Sequence, residues 1–341
     1  MGYLRFALAI LVLLSHAGMA ILGLNPGVAA VIVFYAISGY VMSALISKHY
    51  ALAASTGRFY LDRLLRIYPQ YAIYALAACL WLFTVGQPTA FLNQQPLTVD
   101  WINNLLIVPL NYFMYNGADR FTLVPPAWSL GAELLFYALA PWLWRHWRMA
   151  MALALASLSV QAAAWHGLVH TDWWGYRLLP GVLWVFVLGM ALHRYQNSRP
   201  QWAQHLACLV PAAAAIVWTY LAWKGLIAQP YHREVLTGLA LGIPLIHLLS
   251  RIPQTTGGLD QRLGDWSYGI FLNHFVIFWA LDLQRPQTST EWISVLLTSI
   301  ALSAITQAMV EQRVLRWRRH WRCLNHTSQT SLGPNRAKPL K

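Results

Sequence analysis

Arg5 and His16 stand eleven residues apart in a stretch, LRFALAILVLLSHAG, that is otherwise almost wholly apolar. At ~100° per residue, that spacing returns the two to within about 20° of one helix face. Along the axis they are roughly 16 Å apart. A guanidinium holds phosphate or carboxylate through forked hydrogen bonds, and an imidazole takes and returns a proton near neutral pH. Each has a plainer explanation alone. An arginine at a helix end can snorkel to the interface, and a histidine can bond a neighbouring helix. Together they place an anion-binding group and a base along one line.

Other stretches add candidates. In PPAWSLGAELLFY, Glu133 falls about seven residues into an apolar helix, ~10 Å deep, close to the ~12 Å expected for His16 from the same surface. It could orient His16 as a base–carboxylate pair, or pair with Arg177 to hold helices together. FYAISGYVMS puts Ser38 and Gly39 mid-helix, where small residues let backbones approach. LGDWSYGIFLNHF sets Asp265, Ser267, Tyr268, Asn273 and His274 along one segment, too polar to face lipid and so expected to line a cavity. His274 also suits a bond between helices. RFYLDRLLRIYP, carrying Arg58, Asp62, Arg63 and Arg66, suits a helix lying on a membrane surface. His166 and His170 have the spacing of two metal ligands on one helix face, but only Asp172 accompanies them in a Trp-rich connection, so no metal is expected. Cys79, Cys208 and Cys323 are too far apart in sequence to suggest a disulfide framework or a zinc site.

The elements that must position these residues follow from composition. Of 341 residues, 58% are hydrophobic and 10% charged, with a mean hydropathy of +0.45. A soluble domain carries about 25% charged residues. Eighteen Trp and sixteen Tyr suit two membrane–water interfaces. The expected fold is all-α and polytopic, with spans near 4–23, 27–47, 69–86, 127–144, 149–166, 173–193, 203–223, 232–250, 265–284 and 292–313. The stretch 101–116, broken by Asn103, Asn104, Pro109 and Asn111, suits a re-entrant or interfacial segment. With ten spans and both termini cytoplasmic, eighteen of the twenty-four Lys and Arg fall on the cytoplasmic side and five on the outer side, with Arg5 at the start of the first span. That is the positive-inside bias. The net charge of +13 is then met by lipid headgroups, and no nucleic acid is expected. The first twenty residues also resemble a signal peptide, but His16 interrupts the apolar core and a second apolar run follows at once, so the segment is read as retained. Residues 1–322 are read as one membrane domain and 323–341 as a polar, basic, disordered tail.

Six motifs in order resemble the acyltransferase 3 family of bacterial integral-membrane acyltransferases, which includes O-acetyltransferases of O-antigen, exopolysaccharide and Nod factors. They are Arg5-x10-His16; Phe34 to Gly39; Arg63, Arg66 and Pro69; Pro126, Trp128, Ser129, Leu130 and Glu133; Leu263 to His274; and Glu311 before a basic end. The resemblance implies transfer of an acyl group, usually acetyl, from cytoplasmic acyl-CoA to a hydroxyl of a cell-surface or secreted glycan or glycolipid, at the bacterial inner membrane. It implies that His16 is the catalytic centre and Arg5 its essential partner; with Glu133 these are the candidate catalytic residues, and Arg63, Arg66, Ser38, Gly39, Tyr268 and His274 are the candidates for the acyl-CoA (acetyl-CoA) site. Membrane lipids and polysaccharide-assembly proteins are the expected partners. His16 acts either as general base or as acyl carrier. Tyr35 stands where a second Phe is common, Asn273 replaces a usual Leu, and Ile32 falls where a polar residue often precedes the aromatics. Ten spans with polar residues inside them also suit a glycan-lipid transporter, and a non-catalytic subunit of a polysaccharide assembly complex is a third reading.

Overall fold

The computed structural model describes residues 1–93, 95–198, 200–252, 258–283 and 285–314. The expected tail at 323–341, with Cys323, lies outside the described residues, as does the Glu311 side chain. Among the described residues, the extended elements are two isolated bridges, and all other regular structure is helical. In chain order the α-helices are α1 (Gly2–His16), α2 (Pro26–His49), α3 (Thr56–Thr84), α4 (Thr98–Leu106), α5 (Phe113–Asn116), α6 (Ala127–Arg145), α7 (Trp147–Trp165), α8 (Leu179–Ser198), α9 (Pro200–Trp223), α10 (His232–Ser250), α11 (Leu259–Leu281) and α12 (Ser289–Thr306). Six segments are long and apolar enough to cross a membrane: 26–49, 53–84, 173–196, 201–223, 232–250 and 289–314. The chain is a multi-pass membrane protein. Its outward faces agree: Leu209, Ile216 and Trp223 form an exposed apolar stripe at heptad spacing along α9, and Ile293, Leu297 and Ile305 another on α12.

α1 ends earlier than expected. A span to residue 23 was predicted, but the helix stops at His16 after 15 residues. Gly18 adopts a left-handed φ of 92°, and the Met19 amide bonds back to the Leu14 carbonyl at 2.9 Å, which closes the helix. The chain then turns directly into α2. Asn25 caps that helix, its Oδ1 accepting from the Gly27 and Val28 amides at 3.0 and 3.2 Å, with Pro26 in the first turn. Ser15 Oγ also donates to Asn25 Oδ1 at 2.6 Å, so the end of α1 is tied to the start of α2.

α2 is the central helix. It packs on α8 so closely that a Cβ on Gly39 would lie 1.9 Å from the Phe186 carbonyl oxygen, and one on Gly189 would lie 2.0 Å from that of Ala36. Without a hydrophobic drive between helices in lipid, this backbone approach is what gives the contact its dispersion energy. α1 docks along α11, where the Tyr3 amide donates to Asp260 at 2.9 Å.

The segment 58–69 is not a separate helix. It is the first part of α3, which runs through Pro69, and Asp62 and Arg63 are buried as an ion pair. A buried arginine with its own carboxylate needs no interface to hold its charge. Asn273 does not line a cavity: it is fully buried, donating to the Ser299 carbonyl at 2.9 Å and accepting from Ser299 Oγ at 2.6 Å, and so fastens α11 to α12. The stretch 101–116 is a broken segment, the later part of α4 and then a 3-10 turn over Val108–Tyr112, interrupted at Ile107 with φ 64°. Asn104 holds it by donating to the Phe121 carbonyl at 3.0 Å and accepting from the Leu123 amide at 2.8 Å.

Candidate functional site

Two adjoining chambers are lined by residues of α1, α2, α6 and α11. One, of about 140 Å³, is lined by Arg5, Ser38, Arg63, Arg66, Glu133, Tyr137 and Tyr268 among apolar residues. The other, of about 160 Å³, is lined by Ser15, His16, Asn25, Trp128, Tyr176, Arg177 and Tyr231. Val31, Ser129 and Phe271 line both and so form the partition. Arg5 and His16, near opposite ends of α1, open into different chambers.

The arginine chamber takes cations from three turns. Arg5 comes from the first turn of α1, and Arg63 and Arg66 follow at i and i+3 on α3, which puts them on one face. Arg66 Cζ lies 5.0 Å from the centre of the Tyr268 ring, and Arg63 Cζ 5.9 Å from that of Tyr137, so aromatic faces hold both guanidinium groups in place. Tyr268 is itself fixed by its hydroxyl, which donates to the Ile67 carbonyl at 3.0 Å. Arg5 Nε and Arg63 Nε are buried with no hydrogen-bond partner among the described residues. Buried N–H donors left open beside a cavity fit an anionic guest. Glu133 is the carboxylate on this lining. Its Oε1 accepts from Ser38 Oγ at 2.7 Å and from Tyr137 Oη at 2.5 Å. Tyr35 adds a buried hydroxyl, also without a hydrogen-bond partner among the described residues.

Glu133 therefore does not orient His16, as the sequence suggested. Nor does it pair with Arg177, whose Nε donates to Asp172 Oδ1 at 2.7 Å. The partner of His16 is His274: Nδ1 of His16 lies 2.9 Å from Nε2 of His274, with the rings stacked at a centroid distance of 5.0 Å. His274 is fully buried and lines neither chamber; the bond between helices that the sequence also allowed is the one it makes, from α11 to α1. Gly39 serves the α2–α8 contact, while Ser38 beside it faces the chamber. Ile32 is fully buried and faces neither space.

The histidine chamber carries one formal cation and no carboxylate on its lining. Arg177 sits in the π-turn Trp173–Arg177, with its Cζ 4.4 Å from the centre of the Trp128 ring and 5.2 Å from that of Tyr176. His16 is exposed to this space. The lining joins the aromatic rings of Trp128, Tyr176 and Tyr231 to the hydrogen-bonding groups of Ser15, Asn25 and Arg177. Sequence reasoning did not assign Tyr137, Asn25, Tyr176 or Tyr231. Tyr137 was within reach of it, being four residues beyond Glu133 on one helix face. The others come from connections whose course the sequence does not fix.

A family model described as an acyltransferase domain, acyltransferase 3, matches residues 1–308. The chain belongs to the acyltransferase 3 family. It is 26% identical over 319 residues to nodulation protein 10 of Rhizobium leguminosarum bv. viciae, covering 86% of this chain and 83% of that one. An uncharacterized protein of Aquifex aeolicus (strain VF5) is 32% identical over 189 residues, 55% of this chain and 84% of that one. No solved structure matches the chain significantly. This acyltransferase 3 protein is thus a membrane acyltransferase by family, and the two chambers are the natural place to look for its substrates.

Proposed function

We propose that the protein moves an acyl group, acetyl in the simplest case, from acyl-CoA held at the arginine chamber to a hydroxyl of a glycan or glycolipid held at the histidine chamber. The observation that carries this reading is the shared partition: a space lined by three arginines and a space lined by His16 meet at Val31, Ser129 and Phe271. Arg5, Arg63 and Arg66 bind phosphate oxygens of the coenzyme by charge-assisted hydrogen bonds. The thioester end reaches the partition. There His16 takes the proton of the acceptor hydroxyl through the ring nitrogen facing the chamber, while the hydroxyl oxygen attacks the thioester carbonyl. The carbon–sulfur bond breaks, and His16 returns the proton to the departing thiolate. In the alternative order His16 attacks first and carries the acyl group itself. Glu133, bonded to Ser38 and Tyr137, sets the shape and charge of the coenzyme side. In this reading ten helices span the bacterial inner membrane with both termini in the cytoplasm, which puts the arginine chamber on the coenzyme's side.

The test is the ester content of cell-surface glycans, read by mass spectrometry in a deletion strain complemented with wild type, His16→Ala or Arg5→Lys at matched membrane levels. His16→Ala should leave no ester above the deletion background. Arg5→Lys should lower it, because a point charge does not replace a fork. Normal acylation by His16→Ala would transfer the reading to a transporter or a non-catalytic subunit.

A further inference from the structure

We infer that His274 is a positioning residue that fixes the tautomer of His16, through a relay that begins at the Ile270 carbonyl. This rests on the reading of His16 as the reacting group.

A carbonyl oxygen only accepts, and that of Ile270 lies 3.1 Å from Nδ1 of His274, so Nδ1 carries a hydrogen. No carboxylate is hydrogen-bonded to either imidazole among the described residues. A second proton on His274 would therefore leave an uncompensated charge on a fully buried ring packed between Phe275 and Phe278. His274 is neutral and its Nε2 holds a lone pair. The 2.9 Å contact then needs its hydrogen from the other side, from Nδ1 of His16. With that hydrogen on Nδ1, the neutral His16 ring has its lone pair on Nε2, the nitrogen left for the chamber.

The logic is that of a nucleophile, a base and an orienting group, with one change. The orienting group is a neutral imidazole held by main chain, not a carboxylate. When Nε2 of His16 takes up a proton, the Nδ1–H bond to His274 becomes charge-assisted. The imidazolium is steadied without a permanent negative charge, which would repel the departing thiolate. His274 has no access to either chamber, so it acts only through His16.

The experiment compares His274→Leu, which removes the acceptor, with His274→Gln, whose side-chain carbonyl can stand where Nε2 was. Full-length protein in lipid bilayers, labelled with nitrogen-15 histidine, is read by solid-state NMR, with a His16→Asn sample to assign the His16 signals among the twelve histidines. Wild type and His274→Gln should show an unprotonated Nε2 at His16, and His274→Leu a protonated fraction there. Glycan ester formed per unit of membrane protein should fall about 100-fold in His274→Leu and stay within about tenfold of wild type in His274→Gln. A protonated Nε2 in wild type overturns the relay, whatever the ester content. So does equal ester loss in the two variants with an unchanged Nε2. If Nε2 behaves as expected but wild type makes no ester, the relay stands and the acyltransfer reading falls.

Discussion

The two chambers are of similar volume and share a wall, yet their chemistry is sorted. The arginine chamber has three guanidinium groups, one carboxylate and an otherwise mostly apolar lining. The histidine chamber has one guanidinium, an exposed imidazole and a ring of aromatic and amide or hydroxyl groups. Strong charge suits a ligand that brings phosphates and must be stripped of water. Neutral donors beside aromatic faces suit a ligand that is itself neutral and hydroxylated. On the proposed reading, the difference lets one chain hold two dissimilar substrates in contact without either occupying the other's place. Sorting of this kind requires that the helices between the chambers do not move apart.

The largest effect should therefore come from Gly39→Val. Its Cβ would meet the Phe186 carbonyl, a main-chain atom that cannot swing aside. Overpacking of a tight contact costs roughly 1–3 kcal/mol or more. Separation of α2 from α8 disturbs both chambers, so folded protein recovered in detergent should drop sharply and acylation should be lost. Retention of wild-type thermal stability would show that the close approach is not what holds the chambers in register.

A mid-sized effect should tell the chambers apart. Arg66→Gln removes a cation from the arginine chamber only. It should raise KM for acyl-CoA about 10- to 100-fold, in line with about 1.5–3 kcal/mol for a hydrogen bond to a charged group, and leave the acceptor KM within about twofold. Equal changes in both constants would contradict the division of labour.

The smallest effect should come from Asn25→Ala. Loss of an N-cap costs about 1 kcal/mol, and Ser15 loses its partner at the rim of the histidine chamber. A fall of a few degrees in the unfolding midpoint is expected, with a modest rise in acceptor KM and none for acyl-CoA. An unchanged midpoint would mean that the α1–α2 corner is held by packing alone.

Much of this arrangement is legible in the residues. Apolar runs give the helices, and Arg5, Arg63 and Arg66, singled out by their type and spacing, line one chamber. His16 is visible because an imidazole interrupts an aliphatic run. What the sequence does not give is pairing. Glu133 and His16 were expected at one depth, but α1 ends at His16, so the histidine stands at the C-terminal end of its helix while Glu133, the seventh residue of α6, meets Ser38 and Tyr137 instead. His274 shows the same limit from the other side: its polarity pointed to a cavity, and its actual place is behind the histidine that faces one. Arg63 was assigned to the site, but an amphipathic pattern does not reveal whether a charged residue meets water or a partner such as Asp62. The early end of α1 depends on the left-handed turn at Gly18, one glycine among twenty-one.

The central claim is that coenzyme binding and chemistry belong to different chambers. It is tested most directly by measuring, on full-length His16→Ala protein in lipid nanodiscs, the affinity for acetyl-CoA alongside the glycan ester formed in cells at matched levels. The account predicts an affinity within about twofold of wild type and no ester, because the arginines that hold the coenzyme are untouched while the proton acceptor is gone. Loss of acetyl-CoA binding in His16→Ala would contradict it and place the histidine in the coenzyme site itself.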